Sequence, residues 1–369
     1  MSRVCIFSPH TGVKTGIGSV VTNVASEFNK IGWEVLCVTE KGDFTKGQLL
    51  VNFRSKNPLS IIKSLFQIFQ FAKNVDLILL YDVRPAGLYA LILSKIKKKP
   101  LYLHCVGTHS LFLSNENLLK NFLMKIVYNH SSKTFVLSKF VKKQIEASDA
   151  RFKFYNESIL GPGARQDFFK DKIVTKIIKK NYSYILTVGE VKSRKGHDLS
   201  IEAFARICSK FPDLRYLIVG KYDKKSPFFG SLLNKIKNYN LLEKIVFLGE
   251  VEDEILMQLY SDALFFIMTP RTTKDYLEGF GIVYLEAALS GVTSIGSYNS
   301  GAEDAIVHEV TGLLCDPNAI QIALAMENLL ANSVFRSTLA SEAKKRAKLF
   351  TWEYVIRNYI NNYQRIKDS

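Results

Sequence analysis

The chain has 369 residues, 47% of them hydrophobic, with 50 Lys+Arg against 34 Asp+Glu. That length suits two domains and a large core that needs no disulfide or metal, and the composition excludes global disorder. No run of about 18 uncharged apolar residues is present to form a membrane-spanning helix.

The net charge of +16 is unevenly spread. Residues 1–170 hold 24 Lys+Arg and 11 Asp+Glu, whereas the remainder holds 26 and 23. A basic first half of this kind attracts an anionic partner: nucleic acid, an acidic membrane surface or a phosphorylated substrate. The opening stretch Met1–Ser8 is too short and too quickly broken by Pro9 for a signal peptide, so the expectation is a cytoplasmic protein. Five widely spaced cysteines, with no Cys-x-x-Cys pair, read as small core residues of a reducing compartment. No Cys/His cluster has zinc-ligand spacing, and no Asp-x-Asp is present to hold a magnesium–diphosphate, so no metal is expected.

In chain order, apolar runs alternate with amphipathic stretches. Strands are predicted at Val4–Ser8, Trp33–Thr39, Asp76–Tyr81, Pro100–Val106 and Lys133–Leu137. Helices are predicted between them at Gly18–Ile31, Leu59–Lys73, Ala86–Lys97 and Asn117–Asn129. Continuously apolar strands separated by helices indicate a parallel sheet covered on both faces. The pattern restarts with strands at Tyr184–Val188, Arg215–Val219, Lys244–Leu248 and Ala263–Met268. The intervening helices are Asp198–Phe211, Leu232–Tyr239 and Glu252–Ser261. Two such series imply an α/β protein of two doubly wound, Rossmann-like domains, 1–170 and 171–350. Their joint is expected within Gly161–Asn181, around Gly161-Pro162-Gly163. A helix from Thr351 to Ile366, too apolar for a free tail, forms a last element, 351–369.

Three stretches carry candidate chemistry. Gly16-Ile17-Gly18 lies between the first strand and first helix, where glycines let a ligand approach the backbone and the helix N-terminus favours an anion. With Val21 at the third glycine position, the dinucleotide fingerprint is incomplete, and a plain turn is the competing reading. Lys192, Arg194 and Lys195 follow the Tyr184–Val188 strand, at the carboxyl end where α/β sheets bind ligands. They form either a diphosphate cradle or a solvated basic loop. Glu278-Gly279-Phe280-Gly281 opens a helix that contains Glu286 and ends at Gly291. Exposed amides there suit a phosphate or a polyhydroxylated ring, with Glu278 accepting hydroxyl hydrogen bonds. Glu286, with Val283, Leu285 and Ala287 nearby, has little polar face around it, which favours a site over a surface position. His104 and His109 flank the end of the Pro100–Val106 strand, and either can serve as general base or hydrogen-bond donor. The lysines at 95, 97, 98, 99, 120 and 125, beside an apolar stripe from Leu118 to Val127, form either an anionic-membrane contact or the solvated back of a core helix.

Taken together, these residues resemble the GT-B-fold glycosyltransferases of family 4, which use nucleotide-sugars and retain anomeric configuration. The resemblance spans nearly the whole chain. It rests on Gly16-Ile17-Gly18, Gly32-Trp33-Glu34-Val35, the Glu-x7-Glu element from Glu278 to Glu286, Ser300-Gly301-Ala302-Glu303 and Thr311-Gly312-Leu313-Leu314. It implies that Glu278, Phe280 and Gly281 meet the donor sugar, Glu286 the ribose and Lys195 the diphosphate. It also implies that the two domains face a cleft, with the Gly16–Gly18 loop towards the reacting centre and the last helix crossing back to the first domain. Two positions depart from the family: Glu190 stands where an arginine is usual, and Val106 where a histidine is usual. Lys192 or Arg194 can supply the missing charge, and His109 or His104 the missing imidazole. The reading is therefore a metal-independent retaining hexosyltransferase needing no cofactor, with Glu278 and His109 catalytic and a glycan or lipid-linked acceptor in cell-surface polysaccharide or glycoconjugate synthesis. Gly16, Gly18, Lys192, Arg194, Lys195, Gly279, Phe280, Gly281 and Glu286 are its donor-binding residues. The alternatives are a nucleotide-sugar epimerase of the same fold and a non-catalytic sugar-nucleotide-binding protein. Nucleic acid is not expected, because no aromatic platforms interleave with the lysines. Contact with an anionic membrane at its inner face fits the basic first half.

Overall fold

A computed structural model describes residues 1–12, 16–42, 47–113, 117–165, 182–273 and 276–368. Thr15, Glu116 and the stretch 166–181, which holds most of the expected joint, lie outside the described residues. The chain divides into two compact units, one of Met1–Gly163 with Trp352–Ser369 and the other of Ala164–Thr351.

The first unit is built on seven parallel strands: β1 (Arg3–His10), β2 (Glu34–Lys41), β3 (Gln48–Leu50), β4 (Leu77–Tyr81), β5 (Leu101–Cys105), β6 (Lys133–Val136) and β7 (Glu157–Ile159). Their order is β3-β2-β1-β4-β5-β6-β7. The short edge strands β3 and β7 escape prediction because their three residues carry no period. The helices are α1 (Gly16–Lys30), α2 (Pro58–Phe71), α3 (Gly87–Lys97), α4 (Leu118–His130) and α5 (Lys139–Ser148). The sheet grows leftward from β1 through α1 and rightward through the others. Right-handed crossovers then put α1 on one face and α2, α3, α4 and α5 on the other.

The second unit repeats the plan in six parallel strands: β8 (Tyr184–Val188), β9 (Arg215–Val219), β10 (Ile245–Gly249), β11 (Phe266–Ile267), β12 (Ser294–Ser297) and β13 (Gly312–Cys315). Their order is β10-β9-β8-β11-β12-β13. The helices are α6 (His197–Ile207), α7 (Pro227–Asn238), α8 (Asp253–Asp262), α9 (Ile282–Leu289), α10 (Ala302–Ala305), α11 (Ala319–Ala331) and α12 (Ser333–Ala347). Its core joins Phe204, Tyr216, Leu232, Phe265 and Met326, all essentially inaccessible. β11 is shorter than the predicted Ala263–Met268 strand, because only Phe266 and Ile267 keep the parallel pairing to β12. In each sheet the order reverses beside the first strand, between β1 and β4 and between β8 and β11. That switch point is where open α/β sheets bind ligands.

The last helix, α13 (Trp352–Asp368), packs on α1 within the first unit. Tyr359 stacks on Phe28 at 6.4 Å, and Trp33 meets Tyr363 edge-on at 5.4 Å. The Tyr359 hydroxyl contacts Tyr81 Oη at 3.1 Å and hydrogen-bonds His104 Nδ1. His104 is buried, and burial pushes its pKa down to about 4, so the ring is neutral. His104, one of the two histidines singled out in the sequence, thus lies buried in the anchor of α13. Tyr359→Phe removes the shared hydroxyl and strands buried polar partners. The expected cost is about 1–3 kcal/mol, read by denaturant unfolding, with donor affinity unchanged.

Candidate active site

The carboxyl ends of β8 and β11 carry the residues singled out in the second unit. Val188 ends β8, and the loop to α6 makes a tight turn at Gly196, whose φ is +77°. A Cβ there would lie 1.9 Å from the Thr269 carbonyl oxygen, so only glycine lets this turn press against the end of β11. Arg271 N–H donates to the Arg194 carbonyl at 2.8 Å and holds the same loop from the other side.

The turn aims two cations at one carboxylate. Arg194 Nη1 lies 2.8 Å and Lys195 Nζ 2.6 Å from Glu278 Oε2. Glu278 and Lys195 side chains are only 13% and 12% exposed, so this is a partly dehydrated cluster. Burial alone would raise the Glu278 pKa, but Lys195 and Arg194 outweigh it and hold the carboxyl below its ordinary range. Burial draws the Lys195 pKa down, and Glu278 opposes that shift. The cluster carries two positive charges against one negative. The two described contacts to Glu278 engage one nitrogen of Arg194 and one of Lys195, side chains that have five and three N–H donors.

The Glu278 loop is clamped by glycines. Gly301 N–H donates to the Glu278 carbonyl at 2.9 Å, and a Cβ on Gly301 would fall 2.4 Å from Gly279 C. The Ser300–Glu303 motif therefore forms the floor under the Glu278 loop. Gly281 takes φ +84° and caps α9, and a Cβ there would meet the Tyr284 ring at 2.5 Å. Tyr284 in turn donates to the Met268 carbonyl at 2.6 Å, tying α9 to the end of β11. Phe280 is buried against Phe350, ring centroids 5.5 Å apart, so its side chain is core rather than a sugar platform. What Phe280 offers a ligand is backbone.

Glu286 is buried inside α9 rather than on the surface, where Tyr260 Oη donates to its Oε2 at 3.1 Å. Burial raises its pKa, with Arg165 and the Tyr260 hydrogen bond opposing. Tyr260 is a site neighbour that sequence reading missed, since nothing marks one helical tyrosine among 17 in the chain. Lys192 does not join the Glu278 cluster. It pairs with Glu190 at 2.9 Å, both side chains well exposed. Of the two residues offered to replace the usual arginine, Arg194 is the one brought to Glu278.

The remaining candidates sit in the first unit, at the carboxyl end of its sheet. Gly16 and Gly18 open α1, with open space where a Gly16 Cβ would point. His109 follows β5 in a single helical turn whose geometry is set by Asp82. Asp82 is buried at φ +60° and accepts from Val106 N–H at 2.9 Å, Gly107 N–H at 3.2 Å and Ser110 Oγ at 2.5 Å. Arg84 N and Nε donate to the His109 carbonyl at 3.2 and 3.3 Å. Burial lowers the His109 pKa, Arg84 adds to the shift and Asp82 opposes it, leaving a neutral imidazole near pH 7 that can take or share a proton. Asp82 also escaped sequence reading. Its signal was a carboxylate directly after a fully apolar strand.

The chain is similar in sequence and fold to known proteins. Residues 169–346 match the family model described as Glycosyl transferases group 1. An uncharacterised glycosyltransferase of Methanocaldococcus jannaschii is 23% identical, covering 98% of this chain and 97% of its own. The crystal structure of a glycosyltransferase from Rickettsia africae superposes with a TM-score of 0.84 at 20% identity, covering 99% of this chain and 98% of that one. Anabaena HepE, crystallised with UDP and glucose, superposes with a TM-score of 0.81 at 18% identity, covering 98% and 100%. The fold is thus that of the GT-B glycosyltransferases, two Rossmann-like units, and the second unit carries the match to the group 1 glycosyltransferase model.

Proposed function

We propose that the protein is a retaining, metal-independent hexosyltransferase that moves a sugar from a nucleotide-sugar to a hydroxyl of a glycan or lipid-linked acceptor. The convergence of Arg194 and Lys195 on Glu278 at the mouth of α9 carries this reading. Transfer breaks the bond between the anomeric carbon and the diphosphate, and negative charge develops on the leaving oxygens. Two cations fixed in a partly dehydrated loop stabilise that charge without reorganising. The Gly279–Gly281 amides and the α9 dipole add to the same field. Glu278, kept ionised by its partners, accepts hydrogen bonds from sugar hydroxyls, and Glu286 accepts them from the ribose. His109, neutral near pH 7, is the group assigned to the acceptor side. Group transfer of this kind serves cell-surface polysaccharide or glycoconjugate synthesis, at the inner face of a membrane.

The test is thermal stabilisation by UDP-, GDP-, ADP- and CMP-sugars in the presence of a chelator. One nucleotide class should stabilise the protein by about 2.7 kcal/mol at 100 times its dissociation constant. Because the ionised Glu286 carboxylate is the stronger acceptor for ribose hydroxyls, that stabilisation should grow as pH rises through its pKa, which lies above the ordinary 4.5. Protonation below it leaves a weaker, neutral acceptor and places an O–H where the ribose hydroxyl donates. Glu286→Gln should weaken donor binding and flatten the pH dependence. Stabilisation by no nucleotide-sugar, or only with added metal, would sink the reading. Retention is checked by the anomeric configuration of the product.

A further inference from the structure

We propose that the exposed face of α2, α3 and α4 docks the protein directly onto an anionic lipid bilayer. The inference builds on the membrane-borne acceptor proposed above and assigns it a surface. The three helices lie side by side on one face of the first sheet, with α3 between α2 and α4.

α2 is the anomaly. Eight of its fourteen residues are Leu, Ile or Phe, yet only Ser64 and Ile68 are buried. Ile62 and Phe66 are each 62% exposed and Leu59 76%, a row at helical spacing that turns away from the sheet. On α3, Ile92 and Ile96 continue the row one turn apart. On α4, Leu118 and Leu119 are each 72% exposed, with Phe122 beside them. Scattered exposed apolar residues are ordinary, but three neighbouring helices presenting them on one face are not.

Charge identifies the occupant. Between Lys56 and His130 the sequence has ten Lys+Arg and three Asp+Glu. Of those three, Asp82 is buried and Asp76 is paired with Lys99 at 3.4 Å. Lys63 and Lys120 are exposed among the apolar rows, and Lys97 lies over the Phe69 ring at 5.8 Å, its stem covering apolar surface. Apolar side chains to enter the acyl boundary, with lysines to meet anionic headgroups, match an interfacial surface. A second copy of this face would bring lysines against lysines, so self-association is disfavoured.

The test is co-sedimentation of the full chain with phosphatidylcholine vesicles, with and without about 30% phosphatidylglycerol. Binding is expected only to the anionic vesicles, weakening as salt rises. Ile62→Glu with Phe66→Glu should reduce it roughly tenfold or more, and Lys63→Ala with Lys120→Ala should do so less steeply. Both pairs are solvent-exposed, so circular dichroism and melting temperature should stay at wild-type values. Absent binding, equal binding to neutral vesicles, or unchanged binding by both variants would overturn the proposal. A wild-type dimer abolished by the Ile62 and Phe66 changes, without vesicle binding, would replace lipid by a second copy. Donor-induced stabilisation is followed on the same variants. Its loss beside intact vesicle binding counts against the donor site and not against this face.

Discussion

Lys195→Ala is expected to lower kcat/KM for sugar transfer by about 10²–10³-fold, comparable to removing one preorganised donor from a developing anion. The effect should fall mainly on kcat, because the charge it meets grows as the diphosphate leaves. Lys195 is the less exposed of the two cations on Glu278, 12% against 29% for Arg194, so its charge is the less screened by water. Its removal leaves Glu278 with Arg194 as partner, so the fold should survive and melting should change little. Lys195→Arg keeps the charge but needs a wider guanidinium in a tight turn, and should recover only part of the activity. The measurement is steady-state release of free nucleotide with saturating acceptor. A loss under about threefold would mean that the cation does not face the leaving group.

Gly196→Ala carries the largest structural penalty. The added Cβ would meet the Thr269 carbonyl oxygen at 1.9 Å, at a φ of +77° that disfavours L side chains. The left-handed conformation costs about 1–2 kcal/mol, and forcing the loop off β11 adds about 1–3 kcal/mol. At about 2–4 °C per kcal/mol for a domain of this size, the second unit should melt roughly 4–20 °C lower. Because the same turn carries Lys195, donor-induced stabilisation should weaken as well. A melting temperature within about 2 °C of wild type would show that the turn relaxes freely. The paired result separates this glycine from Gly16, where a Cβ meets nothing within 4 Å and alanine should leave stability nearly unchanged.

Much of the architecture was legible from local pattern. Tyr184–Val188 and Arg215–Val219 stand as predicted, because a strand buried on both faces must be apolar throughout. β3 and β7, edge strands of three residues, left no such trace. β12 and β13 were not predicted either. Ser294–Ser297 is mostly small and polar, and it is a strand because its neighbours pair with it.

The candidate site divides along the same line. Residue type and spacing singled out Lys192, Arg194, Lys195, Glu278 and Glu286 as bearers of chemistry, because clustered cations after a strand and carboxylates around a glycine turn are local features. Which cation turns inward was not a local matter. Lys192 and Lys195 are alike in sequence, yet Lys192 meets Glu190 in solvent and Lys195 meets Glu278 in a dehydrated turn. His104 and His109 were equivalent candidates until α13, more than 240 residues downstream, placed Tyr359 on one of them. The sequence alone determined the class of fold and the chemical repertoire, since periodicity, turn glycines and charge act over a few residues. Only the tertiary structure decided which of those groups are buried, which are paired and which face water, because dehydration and pairing depend on neighbours brought from far along the chain.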